Sequence, residues 1–248
     1  MKKYELSAFA NADELARAAA SVWLDEIETA QRTGKPYCVA LSGGRITQKL
    51  FASVVEQARA RKIGDGGTPS LPGNVHFFWA DERCVPSDDP ESNFRLANEL
   101  LFTPLKITEN RIHRIRGEDS PAAAVEKAGV ELRQIAPSNP ASQPILDLVF
   151  LGMGEDGHVA SLFPGAPAEI VHCPAPFLVV ENSPKPPPRR ISLNYAALAA
   201  ARQVWVLISG AGKEKALRES LHLLGKTPLG RVIQLRKSTR IFSEIRSN

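Results

Sequence analysis

The chain has 248 residues, room for one large α/β domain or two small ones, and its 43% hydrophobic and 23% charged residues exclude a disordered or fibrous protein. The 31 Lys and Arg residues against 27 Asp and Glu leave a net charge of +4, too small and dispersed for a nucleic-acid binder, although a pI near 9.0 suits an anionic ligand. No stretch reaches the roughly 18 apolar residues that span a bilayer, and Glu5, Asn11, Asp13 and Glu14 stand where a signal peptide would be apolar.

Apolar Leu15, Ala19, Val22, Trp23 and Ile27 recur at helical spacing, opened by Asn11 with Glu14 three residues on and closed by Gly34. Tyr37 to Leu41 is a short apolar run of buried-strand type that breaks into Ser42-Gly43-Gly44 and resumes as a helix to about Arg61. Lys62 to Asn74, rich in Gly and Pro, is expected as a surface loop. Val75 to Ala80 predicts a strand ending in Asp81-Glu82-Arg83, and Ser120-Pro121 opens a helix to about Ile135. Ile145 to Leu151 predicts a third strand, running into Gly152-Met153-Gly154-Glu155-Asp156-Gly157-His158. Gln203 to Ser209, Gly210-Ala211-Gly212 and Lys213 to Leu224 repeat the order strand, turn, helix. The basic stretch from Arg231 to Arg246 is expected as an exposed strand face.

Strands that are near-continuously apolar and alternate with helices predict one α/β domain over residues 1–248, doubly wound, with a mostly parallel sheet and helices on both faces. Ligands of such sheets bind beyond the carboxyl ends of the strands, and four predicted strands end in loops carrying Gly, Asp, Arg, His or Lys. The three cysteines, Cys38, Cys84 and Cys173, are far apart and outside metal-ligand spacing, so free thiols in a reducing, cytoplasmic compartment are expected.

Ser42-Gly43-Gly44 between strand and helix offers backbone N–H groups and a helix dipole to an anion, or it is only a tight turn. No Gly-Lys-Ser/Thr follows, so a nucleotide site is disfavoured. Asp81-Glu82-Arg83 reads either as a solvated loop with a local salt bridge or as the place where Arg83 grips a phosphate. His158 in a glycine-rich strand-end loop, two residues after Asp156, has the make-up of a base whose tautomer a carboxylate fixes. The remaining histidines, His76, His113, His172 and His222, read as structural. Lys213 stands at a helix start, where a cation is disfavoured unless an anion binds, and Arg189-Arg190 follows a proline run.

In order along the chain, Leu41-Ser42-Gly43-Gly44, Asp81-Glu82-Arg83-Cys84-Val85-Pro86 with Ser92-Asn93, Gly152 through Gly165, and Ser183-Pro184-Lys185-Pro186-Pro187 with Arg190-Ile191-Ser192-Leu193 and Gly210-Ala211-Gly212-Lys213 resemble the 6-phosphogluconolactonases. These belong to a larger fold group that also holds glucosamine-6-phosphate deaminase. The resemblance implies hydrolysis of a phosphorylated sugar lactone, 6-phospho-D-glucono-1,5-lactone, to 6-phosphogluconate in the oxidative pentose phosphate pathway, with no metal or other cofactor. It implies His158 as the base that activates water, Asp156 as its support, and Ser42, Gly43, Gly44, Arg83, Arg190 and Lys213 as phosphate and substrate contacts.

Two rivals stand beside this expectation. The deaminase motif reads Asp-Gly-His-Ile-Ala-Phe-Asn-Glu, and Phe163 occupies the place of its final Glu here. A non-catalytic sugar-phosphate sensor would keep the phosphate contacts and lose the base. The chain also departs from the family's usual Ser-Gly-Gly-Ser-Thr-Pro with Arg45-Ile46-Thr47, which leads to the expectation that Arg45 itself pairs with the phosphate.

Overall fold

The computed structural model describes residues 2–63 and 70–245. In chain order its elements are β1 (Glu5–Ala8), α1 (Ala12–Gln31), β2 (Tyr37–Leu41), α2 (Arg45–Ala60), β3 (Val75–Trp79), β4 (Asp81–Arg83), α3 (Asn93–Ala97), α4 (Pro121–Ile135) and β5 (Leu148–Gly152). There follow α5 (Ala168–Val171), β6 (Phe177–Val180), β7 (Arg190–Leu193), α6 (Tyr195–Ala200), β8 (Gln203–Ile208), α7 (Glu214–Leu221), α8 (Pro228–Leu235) and β9 (Arg240–Ser243). Asn11 caps α1 through its side-chain oxygen, which accepts from the Glu14 amide at 2.9 Å. The Leu15, Ala19, Trp23 and Ile27 stripe faces the core as its spacing predicts, with Val22 at its half-buried margin.

Six strands form a sheet in the order β1-β9-β8-β5-β2-β3, every neighbouring pair parallel. The continuous apolar runs have their cause here: all five residues of β2 and all but the first of β8 are buried, because helices cover the sheet on both sides. α1 and α2 pack together, the helical turn Asn98–Phe102 that follows β3 packs against α2, and α6 and α7 both pack on α8. From β2 the chain steps outward to β3 and then back across to β5, so the crevice between β2 and β5 is the topological switch point.

A second sheet, antiparallel in the order β4-β7-β6, was not foreseen from the sequence. It corrects the expectation of a loop at Asp81-Glu82-Arg83: the triplet is a strand, with Asp81 and Glu82 buried. Burial is tolerated because both carboxylates are met. Glu82 accepts from the amides of Arg83, Asn93 and Phe94 and from Ser92 Oγ, and Asp81 Oδ2 accepts from Ser161 Oγ at 2.7 Å.

The expectation of an exposed strand face over Arg231 to Arg246 is likewise corrected. Part of that stretch is α8, and β9 lies inside the sheet between β1 and β8. Arg236 is buried and donates from Nη1 to the carbonyls of Leu198, Ala199 and Ala201, while Arg240 lies over the rings of Trp205 and Phe242. Arg236 is thus spent on helix-end carbonyls and Arg240 on ring faces, while Lys237 is exposed; Arg246 lies outside the described residues. The loop expected at Lys62 to Asn74 is bracketed by a bond from Ser70 N to Ile63 O, and its residues 64–69 also lie outside the described ones. No described helix is long and apolar enough to cross a membrane.

Candidate active site

A cleft of about 540 Å³ opens at the carboxyl ends of the strands, over the switch point, and is bounded on its far side by the second sheet and the segment 183–188. Every residue that the sequence marked, except Asp156, lines it: Ser42, Gly43, Gly44, Arg45, Arg83, His158, Arg190 and Lys213. Asp156 stands directly behind His158.

The loop after β5 turns tightly, Gly157 N donating to Gly154 O and Gly154 N to His158 O, both at 3.0 Å, with Gly157 at φ 78°. This turn folds Asp156 back on the histidine. Its Oδ1 lies 2.5 Å from His158 Nδ1 and also accepts from the His158 amide at 3.2 Å. The proton of a neutral imidazole therefore sits on Nδ1, and Nε2 keeps its lone pair. Burial pushes the imidazole below its ordinary value, against the opposing pull of Asp156; Lys185 pushes the same way as burial, and Asp81 opposes it. Burial raises the Asp156 carboxyl, but its bonds to His158 outweigh this and hold it below the usual range. At neutral pH the pair is thus a carboxylate and an uncharged base. Phe163 packs on the imidazole with ring centroids 4.7 Å apart.

Ser42 Oγ donates to Phe150 O at 2.7 Å across the switch point, which ties the end of β2 to β5. Gly44, at φ 104°, is the N-cap of the 16-residue α2 and supplies no side chain to its first turn, so amides at that end face the cleft unanswered. Thr47 Oγ1 donates back to Gly43 O at 3.0 Å, giving the unusual Arg45-Ile46-Thr47 segment its own way to pin the loop. Lys213 is the N-cap of α7, and burial, then the neighbouring Arg45 and also Lys185, push its ammonium below the ordinary value while Glu155 and Glu244 pull it up.

Arg83 and Arg190 face each other in the register of β4 and β7. Arg83 Nη1 donates to Glu91 O at 2.6 Å and to Glu91 Oε2 at 3.3 Å, leaving its buried Nε unpartnered. Arg190 is more heavily committed: Nε donates to Pro187 O, and Nη2 to Lys185 O and Pro186 O, all within 3.0 Å. Two cation groups result, Arg83 with Arg190 on the second sheet, and Arg45 with Lys213 at the helix starts.

Reasoning from sequence gave no role to several residues that the fold brings into the cleft, among them Asp81, Asn93, Glu155 and Lys185. Asn93 Nδ2 holds Asp81 O at 2.8 Å, and its amide oxygen fills the space where Gly43 would carry a Cβ, which explains the need for glycine there. Adjacency to Glu82 and Ser92 was the one available signal. Among the described residues no group of three or more His, Cys, Asp and Glu could hold a metal ion.

Residues 10–241 match the family model of the glucosamine-6-phosphate isomerases/6-phosphogluconolactonases. The chain belongs to this family. Similar curated members include the 6-phosphogluconolactonase of Mycobacterium tuberculosis, 36% identical over 203 residues, 74% of this chain and 81% of the relative. That of Streptomyces coelicolor is 35% identical over 218 residues, 86% of this chain and 80% of the relative. Among solved structures, the 6-phosphogluconolactonase of Thermotoga maritima superposes with a TM-score of 0.78 at 28% identity, covering 97% of this chain and 98% of that one. The Trypanosoma brucei enzyme gives 0.82 at 26%, covering 98% and 97%. A monomeric glucosamine-6-phosphate deaminase shares the fold, with a TM-score of 0.76 at 18% identity.

Proposed function

We propose that the chain hydrolyses 6-phospho-D-glucono-1,5-lactone to 6-phosphogluconate, with His158 as the base. The observation that carries this reading is the imidazole held at Nδ1 by Asp156, with Nε2 free, in the wall of a cleft that also gathers cations and an uncapped helix start. A lactone carbonyl needs an activated water and no redox or group-carrier chemistry, and a water on Nε2 would be deprotonated as it attacks. The phosphate calls for cations and backbone donors, which Ser42, Gly43, Gly44, Arg45 and Lys213 supply from the main sheet and Arg83 and Arg190 from the second.

Asp156 is assigned to positioning: it fixes the tautomer and stabilises the imidazolium formed in the step. The aminosugar-phosphate chemistry of the other family branch is disfavoured because Phe163, packed on the base, can neither carry nor orient a proton. The names of the curated relatives point the same way. A cytoplasmic setting fits the three free thiols of Cys38, Cys84 and Cys173.

The deciding experiment is acid release from freshly prepared 6-phosphogluconolactone, corrected for spontaneous ring opening. A rate well above buffer is expected; a rate equal to buffer with retained binding of sugar phosphate would make the protein a sensor.

A further inference from the structure

We propose that Glu244, just past the carboxyl end of β9, is a positioning residue for the phosphate end of the substrate, its carboxylate tethering the glycine turn that delivers Lys213 to the cleft. The inference rests on the lactonase reading, in which Lys213 and Arg45 meet the phosphate. It adds the residue that holds one of those cations in place.

Glu244 is the one acidic residue among the five basic ones of residues 231–246, and it lines the cleft. Its Oε1 is turned to the backbone and accepts from the Gly210 amide. Among the described residues this is the one hydrogen bond that residues 210–212 make. The turn has need of it. Gly210 and Gly212 stand at φ 92° and 85°, and glycine takes such angles about as readily as their opposites, so the backbone alone does not keep the turn in one shape. Lys213 follows directly as the N-cap of α7, and the turn therefore sets the direction from which its ammonium enters. The turn also borders the neighbours of that ammonium. A Cβ on Gly210 would stand 3.8 Å from Arg45 Nη2, and one on Gly212 would stand 3.7 Å from Glu155 Cδ.

The tether is itself anchored in the main sheet. Glu244 N donates to Ile208 O at 3.2 Å, and the carbonyl of Ser243 accepts from Phe9 N at 2.8 Å. The buried Ser243 Oγ donates to Ile245 O at 2.9 Å and accepts from Ile245 N at 3.0 Å. The backbone on both sides of Glu244 is thus pinned at the ends of β8 and β1, and the carboxylate reaches the turn from a fixed base.

Reach and charge in this residue act in opposite directions. Holding the turn serves the phosphate, because Lys213 is presented ready to pair with it. The negative charge favours the Lys213 ammonium in the free protein but competes with the phosphate for it. A neutral side chain of the same length would keep the first effect and remove the second.

Two variants of the full chain separate the effects, with Tm as a fold control. Glu244→Asp keeps the charge and shortens the reach, whereas Glu244→Gln keeps an acceptor oxygen at the same reach and removes the charge. On the phosphorylated lactone, Glu244→Asp should raise KM about tenfold with kcat within about threefold, and Glu244→Gln should lower KM by about two- to fivefold. The Kd of 6-phosphogluconate, measured by calorimetry, should shift in the same two directions, and unphosphorylated gluconolactone should show neither shift. An unchanged KM in Glu244→Asp, an equal rise in both variants, or equal shifts on both lactones would overturn the assignment. A wild-type rate no faster than buffer, with the opposite shifts in Kd retained, would instead overturn the lactonase reading and leave the tether standing.

Discussion

The imidazole of His158 lies against Gly154 with no space between them. A Cβ on Gly154 would collide with imidazole Cε1 and Nδ1 and stand 2.7 Å from Asp156 Oδ1. Glycine at this position is therefore required by the packing of the Asp156–His158 pair as well as by the turn. Two residues earlier Gly152 has open space around its missing side chain.

That contrast makes a paired prediction. Gly154→Ala should displace the Asp156–His158 pair and cost about 10²-fold in kcat, within the range that a general base contributes, while Gly152→Ala stays near wild type. Steady-state kinetics on both variants, with circular dichroism to show that they fold, check it. Equal activities would mean that the loop relaxes without disturbing the base.

Removing the base gives the direct measure of its role. His158→Ala should lower kcat by about 10²- to 10⁴-fold with the fold intact. The sign of the pH dependence follows from the uncharged imidazole being the active form: kcat/KM rises with pH as His158 loses its proton and is level through neutrality. Since burial holds the imidazole below its ordinary value, the half-point should fall below about 6.5. A profile flat between about pH 5 and 8 would remove His158 from the mechanism.

Arg83 and Lys213 belong to different cation groups, and substrate comparison separates their roles. A charge-assisted contact is worth about 1.5 to 3 kcal/mol, so each alanine variant should lose about 10- to 200-fold in kcat/KM on the phosphorylated lactone if it touches the phosphate. With the unphosphorylated lactone such a residue should matter little. Equal losses on both substrates would assign the residue to the reacting end of the cleft or to the fold.

The sequence made the main sheet legible because burial on both faces writes itself as unbroken apolar runs, as at Tyr37 to Leu41 and Gln203 to Ser209. The dyad was legible for a similar local reason, since two residues in a glycine turn must be neighbours in space. The antiparallel sheet was not, because β4 is three residues long and carries Asp81, Glu82 and Arg83, which local pattern reads as solvent-facing. Their partners, Ser161 and Ser192 among them, come from distant parts of the chain. Lys185 was legible as part of a proline run, whereas the bond from Arg190 to its carbonyl depends on where β7 places that arginine. The basic C-terminal stretch misled for the same reason, its arginines meeting carbonyls and rings that only tertiary structure supplies.

Stability should carry its own pH signature away from the cleft. His113 Nδ1 donates to Glu131 Oε1 at 2.8 Å, which leaves His113 Nε2 to accept from His76 Nδ1 at 3.0 Å. Burial, then His113 and Arg111, hold His76 below its ordinary value of 6.5. A histidine depressed on folding contributes stability that is present above its unfolded pKa and lost as pH falls toward the folded one. Between about pH 7.5 and 5 the wild type should therefore lose Tm more steeply than His76→Gln. Parallel curves would assign the acid loss to other groups.

Arg45 is where this chain departs from its family's usual serine, and the cleft gives that residue a definite setting. It is the first residue of α2, beside Lys213 and Gly210, at a helix start whose dipole disfavours a cation. Two like charges held together at a positive helix end are relieved by an anion bound between them, and the substrate phosphate is the anion at hand. Arg45→Ser should therefore raise KM while leaving Tm equal or slightly higher, because the free protein loses a repulsion and the complex loses an ion pair. The salt dependence of KM should weaken at the same time, since screening acts on the pairing that has been removed. Measuring KM for both proteins at low and high ionic strength decides the matter. If the two proteins share the same KM and the same salt dependence, the α2 amides hold the phosphate without Arg45, and the substitution at this position has no bearing on substrate binding.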